Sequence, residues 1–457
     1  MTKRHKKIAG CEDREIWEAS ERVLFFMFKN IELGNNQDEV WLFGDKVLYL
    51  RQITNRTHTQ RCIMAKQLYI DFDEYIRQGE PSQREKAAIW STAIGLQAVD
   101  GLTTSEYLQE AARRNIEGEI SVDEVKELIN NYYITKTAHN DDDAGKEEAD
   151  RVSSNIAKLL SSNTLNFSVL GYTLVHKNLF SGVFKFAGKI RDYDITKKEW
   201  VLHGDTVSYM YAADLTAALE YDLEQERLFS YSGLSSDEII RHISRFTADL
   251  WQIHAFGEGN TRATAVFVIL YLRSLGFNVN NEIFAQNSWY FRNALVRYVY
   301  KNRDGVMPEP KYLERFFRNM LLGEQWVLKN RYLVLNPPTE YSEQPRLDTP
   351  ASTEQAPVQV PVQVPVQVGN QFWTNNENIQ RLVKAVGYEK LSVKEMMNAV
   401  GLKHRMTFMD YSLNPAIAEG FVRMLHPESP RHPRQKYLLT VKGDGLYNLM
   451  MRKEGEE

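Results

Sequence analysis

Two helical runs held nine residues apart constrain this chain more than any other feature. Residues 246–253 carry apolar side chains at helical spacing, and 263–275 form a second helical run rich in apolar residues. The segment between them, His254-Ala255-Phe256-Gly257-Glu258-Gly259-Asn260-Thr261-Arg262, is therefore a loop joining two helices. At such a joint the first four amides of the second helix lack intrahelical partners and carry the positive end of its dipole. Gly259, Asn260, Thr261 and Arg262, with Gly257 ahead of them, can wrap a polyphosphate, and Gly259 lets the backbone approach closely. Arg262 offers a charged fork for phosphate oxygens, and Glu258 suits a bridging Mg²⁺ better than a direct phosphate contact. His254 is then the proton acceptor, imidazole being the side chain best matched to that task near neutral pH.

In these residues the chain resembles the Fic family, whose signature is HxFx(D/E)GNGRxxR. His254, Phe256, Glu258, Gly259, Asn260 and Arg262 fit it, while Thr261 stands at its second glycine and Ala265 at its final arginine. Other segments extend the resemblance. Residues 175–180 and 186–191 look like the helix and loop that precede the family's flap. Residues 199–209 alternate around Gly204-Asp205 as a short hairpin should. The resemblance gives that hairpin, through Val201, Leu202, His203, Gly204, Asp205, Thr206 and Val207, the task of aligning a target's backbone by strand addition. Residues 287–294 resemble the segment that walls the nucleotide base, with Tyr290 and Asn293 as contacts; simple core packing of Trp289, Phe291 and Leu295 is the competing reading.

With 457 residues, two to four domains are expected. The 56 basic and 60 acidic side chains give no global charge that demands a nucleic-acid or membrane partner. A 43% hydrophobic composition can bury a real core. Two cysteines, Cys11 and Cys62, suggest neither a disulfide scaffold nor a cysteine zinc site, and point to a reducing cytoplasm. The basic start is followed by no apolar h-region, and the longest apolar run, residues 265–272, is far short of a membrane span. A soluble, mainly α-helical protein is expected.

Five regions follow from the pattern. Residues 1–80 carry no readable function, with a hairpin around Gly44-Asp45 as their one structural hint. Residues 82–135 predict a helical module, with Ser121 and Glu124 forming a capping box. A polar connector at 139–143 leads to the Fic core at 145–330, with helix resuming by Glu147. Residues 331–372 read as a spacer containing the repeat Pro357-Val358-Gln359-Val360, whose prolines disfavour helix and central strand. Residues 373–457 have the helix order of a winged helix: 379–386, 393–400 capped by Ser392 and stopped by Gly401, a third around 415–420, then a strand at 435–440. Lys403, His404, Arg405, Arg431, His432 and Arg434 allow phosphate contacts with DNA, although a protein partner is equally compatible.

The 82–135 module resembles the VbhA-type antitoxins that pair with Fic toxins. Their motif (S/T)xxxE(G/N) falls on Leu96, Asp100 and Gly101, a degenerate form. In the family the glutamate pairs with the signature's final arginine and blocks the γ-phosphate site. With Asp100 one methylene shorter, and Ala265 offering no charge, the brake is expected to be weak. The activity implied is adenylyl transfer from ATP, with Mg²⁺, to a Ser, Thr or Tyr hydroxyl of a protein target, the chain itself included. Two alternatives stand beside it: transfer from another donor, and a nucleotide-sensing regulator that acts on DNA through residues 373–457.

Overall fold

Local capping chemistry sets the N-terminal helices. Glu80 and Gln83 form a capping box around Pro81 and start α1 (Pro81–Gly95), which tightens into a 3-10 turn over Leu96–Asp100 and ends at left-handed Gly101. Ser105 caps α2 (Glu106–Ile116), and Ser121 with Glu124 caps α3 (Val122–Thr135) as expected. The computed structural model describes residues 72, 74–135, 141–162, 164–279, 282–336 and 370–455. The expected Gly44-Asp45 turn and the Pro-Val-Gln repeats lie outside them.

These helices are part of the main core. Helix α4 (Asp141–Ser162) begins six residues earlier than the pattern indicates. Its Asp150, fully buried, accepts from the Ser105 amide and the Tyr133 hydroxyl, fixing α2 and α3 to it. Trp90 and Ala93 of α1 are buried, and Gly95 lies so close to Ala285 that a Cβ there would stand 2.4 Å from the Ala285 carbonyl.

The central layer comprises α5 (Val169–Phe180), α6 (Leu215–Leu228), α7 (Ser236–Ile253), α8 (Asn260–Ser274), α9 (Glu282–Val299) and α10 (Lys311–Leu322). Helix α8 is buried on every face from Asn260 to Leu272, so it is the axis about which the others pack. A Ser235–Glu238 capping box starts α7 and thereby fixes where its C-terminal end delivers the loop.

Residues 199–209 are not a hairpin. A 3-10 turn spans Trp200–Leu202, His203 and Gly204 are left-handed, and the turn closes through Gly204 N to Glu199 O and Glu199 N to Asp205 O. Val201, Leu202 and Val207 all point into the core, which a two-residue alternation cannot accommodate. The Val201 carbonyl is already taken by the Leu335 amide, so this part offers no free strand edge.

The C-terminal part runs α11 (Glu377–Val386), α12 (Val393–Ala399), α13 (Arg405–Phe408), a π-turn over Met409–Leu413, α14 (Asn414–Ala418), strands β1 (Val422–Met424) and β2 (Tyr437–Leu439), and α15 (Val441–Gly455). The strands pair antiparallel with Val422 opposite Leu439, and Leu391 bridges Tyr437. Ile379, Leu382, Phe408, Phe421 and Leu446 form its own small core.

This part is not loosely tethered. Gln371 bonds through its amide to Leu321 O and through its side chain to Met320 O, and Phe372 packs on Phe277 in the main core. Gly276 and Gly420 approach so closely that a Cβ on either would stand 2.2 or 2.1 Å from the other's carbonyl. Lys442 N donates to Leu275 O, and Asn448 to Leu234 O. Prolines describe only the segment that holds them and not how its two ends pack, so a spacer over residues 331–372 does not make the part after it independent. The described residues lie within one compact unit.

Candidate active site

His254 is the residue at which α7 stops. Its backbone is left-handed at φ 52°, a conformation that costs a non-glycine residue about 1–2 kcal/mol and turns the chain sharply into the loop. The ring lies 3% exposed, against Tyr209 at 4.3 Å and Trp251 at 5.4 Å between centroids. Both ring nitrogens are buried without a hydrogen-bond partner. Burial, then the nearby Lys197 and Arg292 cations, push its pKa well below the usual histidine range, so the imidazole is neutral.

The loop is braced from inside. Asn260 uses its side-chain amide to hold both backbone groups of Phe256, accepting from N at 2.9 Å and donating to O at 2.7 Å. The Phe256 ring stacks on His176 at 3.8 Å. His176 in turn accepts from the Gly188 amide through Nδ1 and donates through Nε2 to the Glu258 carbonyl, each at 2.9 Å. Burial pushes its pKa down to about 4, and this pair of bonds requires the neutral ring. Arg191 binds the carbonyls of His254, Tyr193 and Met210, tying the loop to the segment that covers it. Glycine is required at Gly259, where, at φ 76°, a Cβ would stand 2.3 Å from the buried Phe180 ring, while a Cβ on Gly257 would have to displace only the exposed Tyr193 hydroxyl, 2.5 Å away.

The side chain of Glu258 reaches outward. It is 45% exposed and receives Lys197 Nζ at 3.1 and 3.3 Å on its two oxygens. Behind the covering segment, fully buried Glu199 pairs with Arg292 at 2.6 Å and accepts from the Tyr209 hydroxyl at 3.0 Å. The surface over His254 is thus anchored to α9 by a buried ion pair.

Several expected contacts fall elsewhere. Arg262 is not a phosphate fork here: fully buried over the Phe180 ring, it meets Asp100 at 2.7 Å, Glu148 at 2.8 Å and Gln97 at 3.0 Å. A buried guanidinium needs counter-charge, and the N-terminal helices supply it. Asp100 therefore has a charged partner after all, which overturns the expectation that the absence of arginine at Ala265 leaves it unpaired; Ala265 is simply buried in α8. Leu96 is core, and Gly101 ends the 3-10 turn. The Thr261 hydroxyl accepts from Trp251 Nε1, and Asn260 is occupied by Phe256. Tyr290 and Asn293 are buried and bonded to Tyr312 O and Asn330 Oδ1, so the packing reading of 287–294 prevails, beginning at a kink in α9 at Asn287.

Of the functional neighbours, His176 and Arg191 sat inside recognised segments but had no assigned role. Glu199, Tyr209 and Arg292 likewise lay in recognised segments without a role, whereas Lys197, Gln97 and Glu148 carried no local signal, because each meets its partner only through the fold.

Residues 167–272 match the Fic/DOC family, and residues 377–440 match the C-terminal domain of Fic-like proteins, filamentation induced by cAMP. Residues 167–272 are therefore similar to a Fic domain. The matched span covers α5 to α8 and the whole loop from His254 to Arg262. A protein adenylyltransferase, VbhT of Bartonella schoenbuchensis, is 28% identical over 106 residues, which is 23% of this chain and 21% of that protein. The chain thus spans about a fifth of that relative's length. Among solved structures, a Fic family protein from Desulfovibrio desulfuricans is 16% identical with a TM-score of 0.37, covering 82% of this chain and 93% of that one. The N-terminal Fic domain of a Bartonella quintana cell-filamentation protein is 15% identical with a TM-score of 0.31, covering 40% and 84%. Among the described residues no helix is long and apolar enough to cross a membrane.

Proposed function

We propose that the Fic domain transfers AMP from ATP to a hydroxyl side chain of a protein, the chain itself among its acceptors. The observation that carries this reading is His254: neutral, with both nitrogens bare, and placed at a helix end four residues ahead of Glu258 and five ahead of Gly259. Its ring accepts the proton of a Ser, Thr or Tyr hydroxyl as the oxygen bonds to the α-phosphorus and the bond to pyrophosphate breaks. The opening amides of α8 hold phosphate oxygens, and fixing the loop from behind lets this be done by positioning. Because His254 is covered by Tyr209, the segment before α6 has to shift for a target to enter, and its extended part after Asp205 is where target backbone would align.

Glu258 fits a Mg²⁺ site of a particular kind. Among the described residues no three His, Cys, Asp or Glu side chains gather, so a protein cage is excluded there. A single outward carboxylate beside a helix N-terminus suits an ion that takes its remaining ligands from water and substrate phosphates. Bound there, Mg²⁺ would neutralise charge on the phosphates.

The test is label transfer from α-labelled ATP with Mg²⁺, onto the chain and onto candidate proteins. His254→Ala should lower transfer by about 10² or more while nucleotide affinity changes little. Equal transfer by both proteins would remove His254 from the chemistry. Label arriving from another nucleotide donor in place of ATP would favour the alternative donor reading, for which the Ala265 position leaves room.

A nucleic-acid partner is the second reading, resting on the C-terminal part. Its helix order with a two-stranded antiparallel sheet supports the winged-helix reading, and a cavity of about 440 Å³ beside α12 is lined by Lys394, Lys403 and Arg405 with no carboxylate. Retardation of duplex DNA that weakens steeply with salt would support it.

A further inference from the structure

Lys197 holds both oxygens of the carboxylate that the proposed function gives to Mg²⁺. Its backbone is fixed on either side. Asp194 accepts the Ala212 amide at 2.7 Å, and Glu199 is pinned inside the protein by Arg292 and Tyr209. The side chain between these anchors is otherwise a flexible four-carbon stem, 29% exposed, with its ammonium at the mouth of the loop. Three arginines around the loop are committed. Arg191 is bound to three carbonyls, Arg292 to buried Glu199, and Arg262 to Asp100, Glu148 and Gln97. None of these can turn to a phosphate without leaving a buried carboxylate or carbonyl unpaired.

We infer that Lys197 is a nucleotide-binding residue that occupies the carboxylate of Glu258 until a metal-bound polyphosphate arrives, and then contacts the phosphates itself. One carboxylate cannot give the same two oxygens to an ammonium and to a divalent ion, so the two cations compete for Glu258 in the free protein. A divalent ion brought in with a polyphosphate carries more charge and more ligands, and displaces the ammonium. The released Lys197 then lies within a side chain's reach of the incoming phosphates and supplies the cation that Arg262, locked in the interior, does not. The ligand class is a metal-bound nucleoside polyphosphate, and Lys197 sets how strongly a triphosphate is preferred to a diphosphate.

The inference rests on Glu258 as the metal ligand, and the experiment separates the two. Mn²⁺ binding to the full chain is followed by electron paramagnetic resonance, first without nucleotide and then with ATP, for the wild type, Lys197→Met and Glu258→Gln. Lys197→Met should bind Mn²⁺ alone about fivefold more tightly, because the competing charge is gone, yet bind Mn²⁺-ATP about fivefold more weakly. Its preference for ATP over ADP should shrink by a similar factor, and Lys197→Arg should restore much of it. A stem merely packed on the surface would not move the two affinities in opposite directions. If Glu258→Gln abolishes Mn²⁺ binding while Lys197→Met leaves both affinities unchanged or weakens both, the inference is overturned and the metal assignment stands. If Glu258→Gln binds Mn²⁺ as the wild type does, the assignment of Glu258 fails and Lys197 falls with it. Matching thermal melts for all four proteins establish that folding is unaffected, as expected for a half-exposed ion pair.

Discussion

His176 shows how one side chain can hold the proposed catalytic loop without reaching the chemistry. Its two ring nitrogens join the Gly188 amide to the Glu258 carbonyl, and its face carries Phe256, so the loop's outward carboxylate rests on an inward imidazole. The arrangement has a pH signature. Burial holds the folded pKa at about 4 against an ordinary 6.5, so as pH falls the unfolded chain takes up a proton before the folded one does. The stability contributed is complete above about 6.5 and is lost progressively as pH falls toward 4, a total of about 3 kcal/mol for this group. His254, shifted the same way, adds to the slope. His176→Gln retains a donor and an acceptor but cannot titrate in this range. Its melting temperature should therefore fall less steeply than that of the wild type between pH 7 and 4.5; parallel profiles would assign the slope to other groups.

At the scale of elements, the 3-10 turn after α1 and the helix α4 exist in part to hold one guanidinium. Arg262 rises from the first turn of α8 into a fully buried position, and Asp100 and Glu148 come to it from two different elements. Removing either carboxylate leaves the other in place, so Asp100→Ala should destabilise the fold by about 1–2 kcal/mol, less than the loss of a fully enclosed partner because Asp100 is 28% exposed. Removing both leaves a buried charge unpaired. The double variant Asp100→Ala with Glu148→Ala should cost more than the sum of the single changes, by about 1 kcal/mol or more in denaturant midpoints converted to free energy. Simple additivity would show that solvent, rather than the cage, satisfies Arg262. The sequence disclosed this region unevenly. Ser105, Ser121 and Ser392 announce helix starts because a cap bonds to an amide two or three residues on. The loop was legible because its base, carboxylate and glycines are contiguous. The cage was not, since Gln97 and Glu148 lie 165 and 114 residues from Arg262, and no local pattern marks a counter-charge that any element could supply. The covering segment was misread for a related reason: alternation near Gly204-Asp205 says hairpin, but Val201, Leu202 and Val207 are all drawn to the same core.

On the scale of the whole molecule, the part that matches the Fic/DOC family is enclosed from both directions, by α1 to α4 on the N-terminal side and by the strand-bearing part that follows the spacer. The second enclosure has a mechanical basis. The end of α8 meets the turn before β1 through two glycines whose backbones touch, and Lys442, buried over the Phe421 ring, donates through its amide and its ammonium to the carbonyls of Leu275 and Glu419, the residues that follow α8 and α14. Burial pushes that lysine's pKa down to about 8, a mark of how far water is excluded from the joint. Phe372 adds an aromatic contact on Phe277, next to the same helix end. Because α8 also begins at the end of the loop proposed to bind phosphate, anything that loosens its C-terminal end is felt along the axis of the site. Truncation after residue 369 should therefore lower the thermal transition of the remaining chain by several degrees, since it exposes Phe277 and unpairs the Leu275, Leu321 and Met320 carbonyls together. Gly420→Ala, which forces a Cβ against the Gly276 carbonyl at a left-handed position, should produce a smaller shift in the same direction with the full chain intact. An unchanged transition in the truncated chain, measured by calorimetry, would mean that the two parts fold independently and that the glycine joint carries no stability.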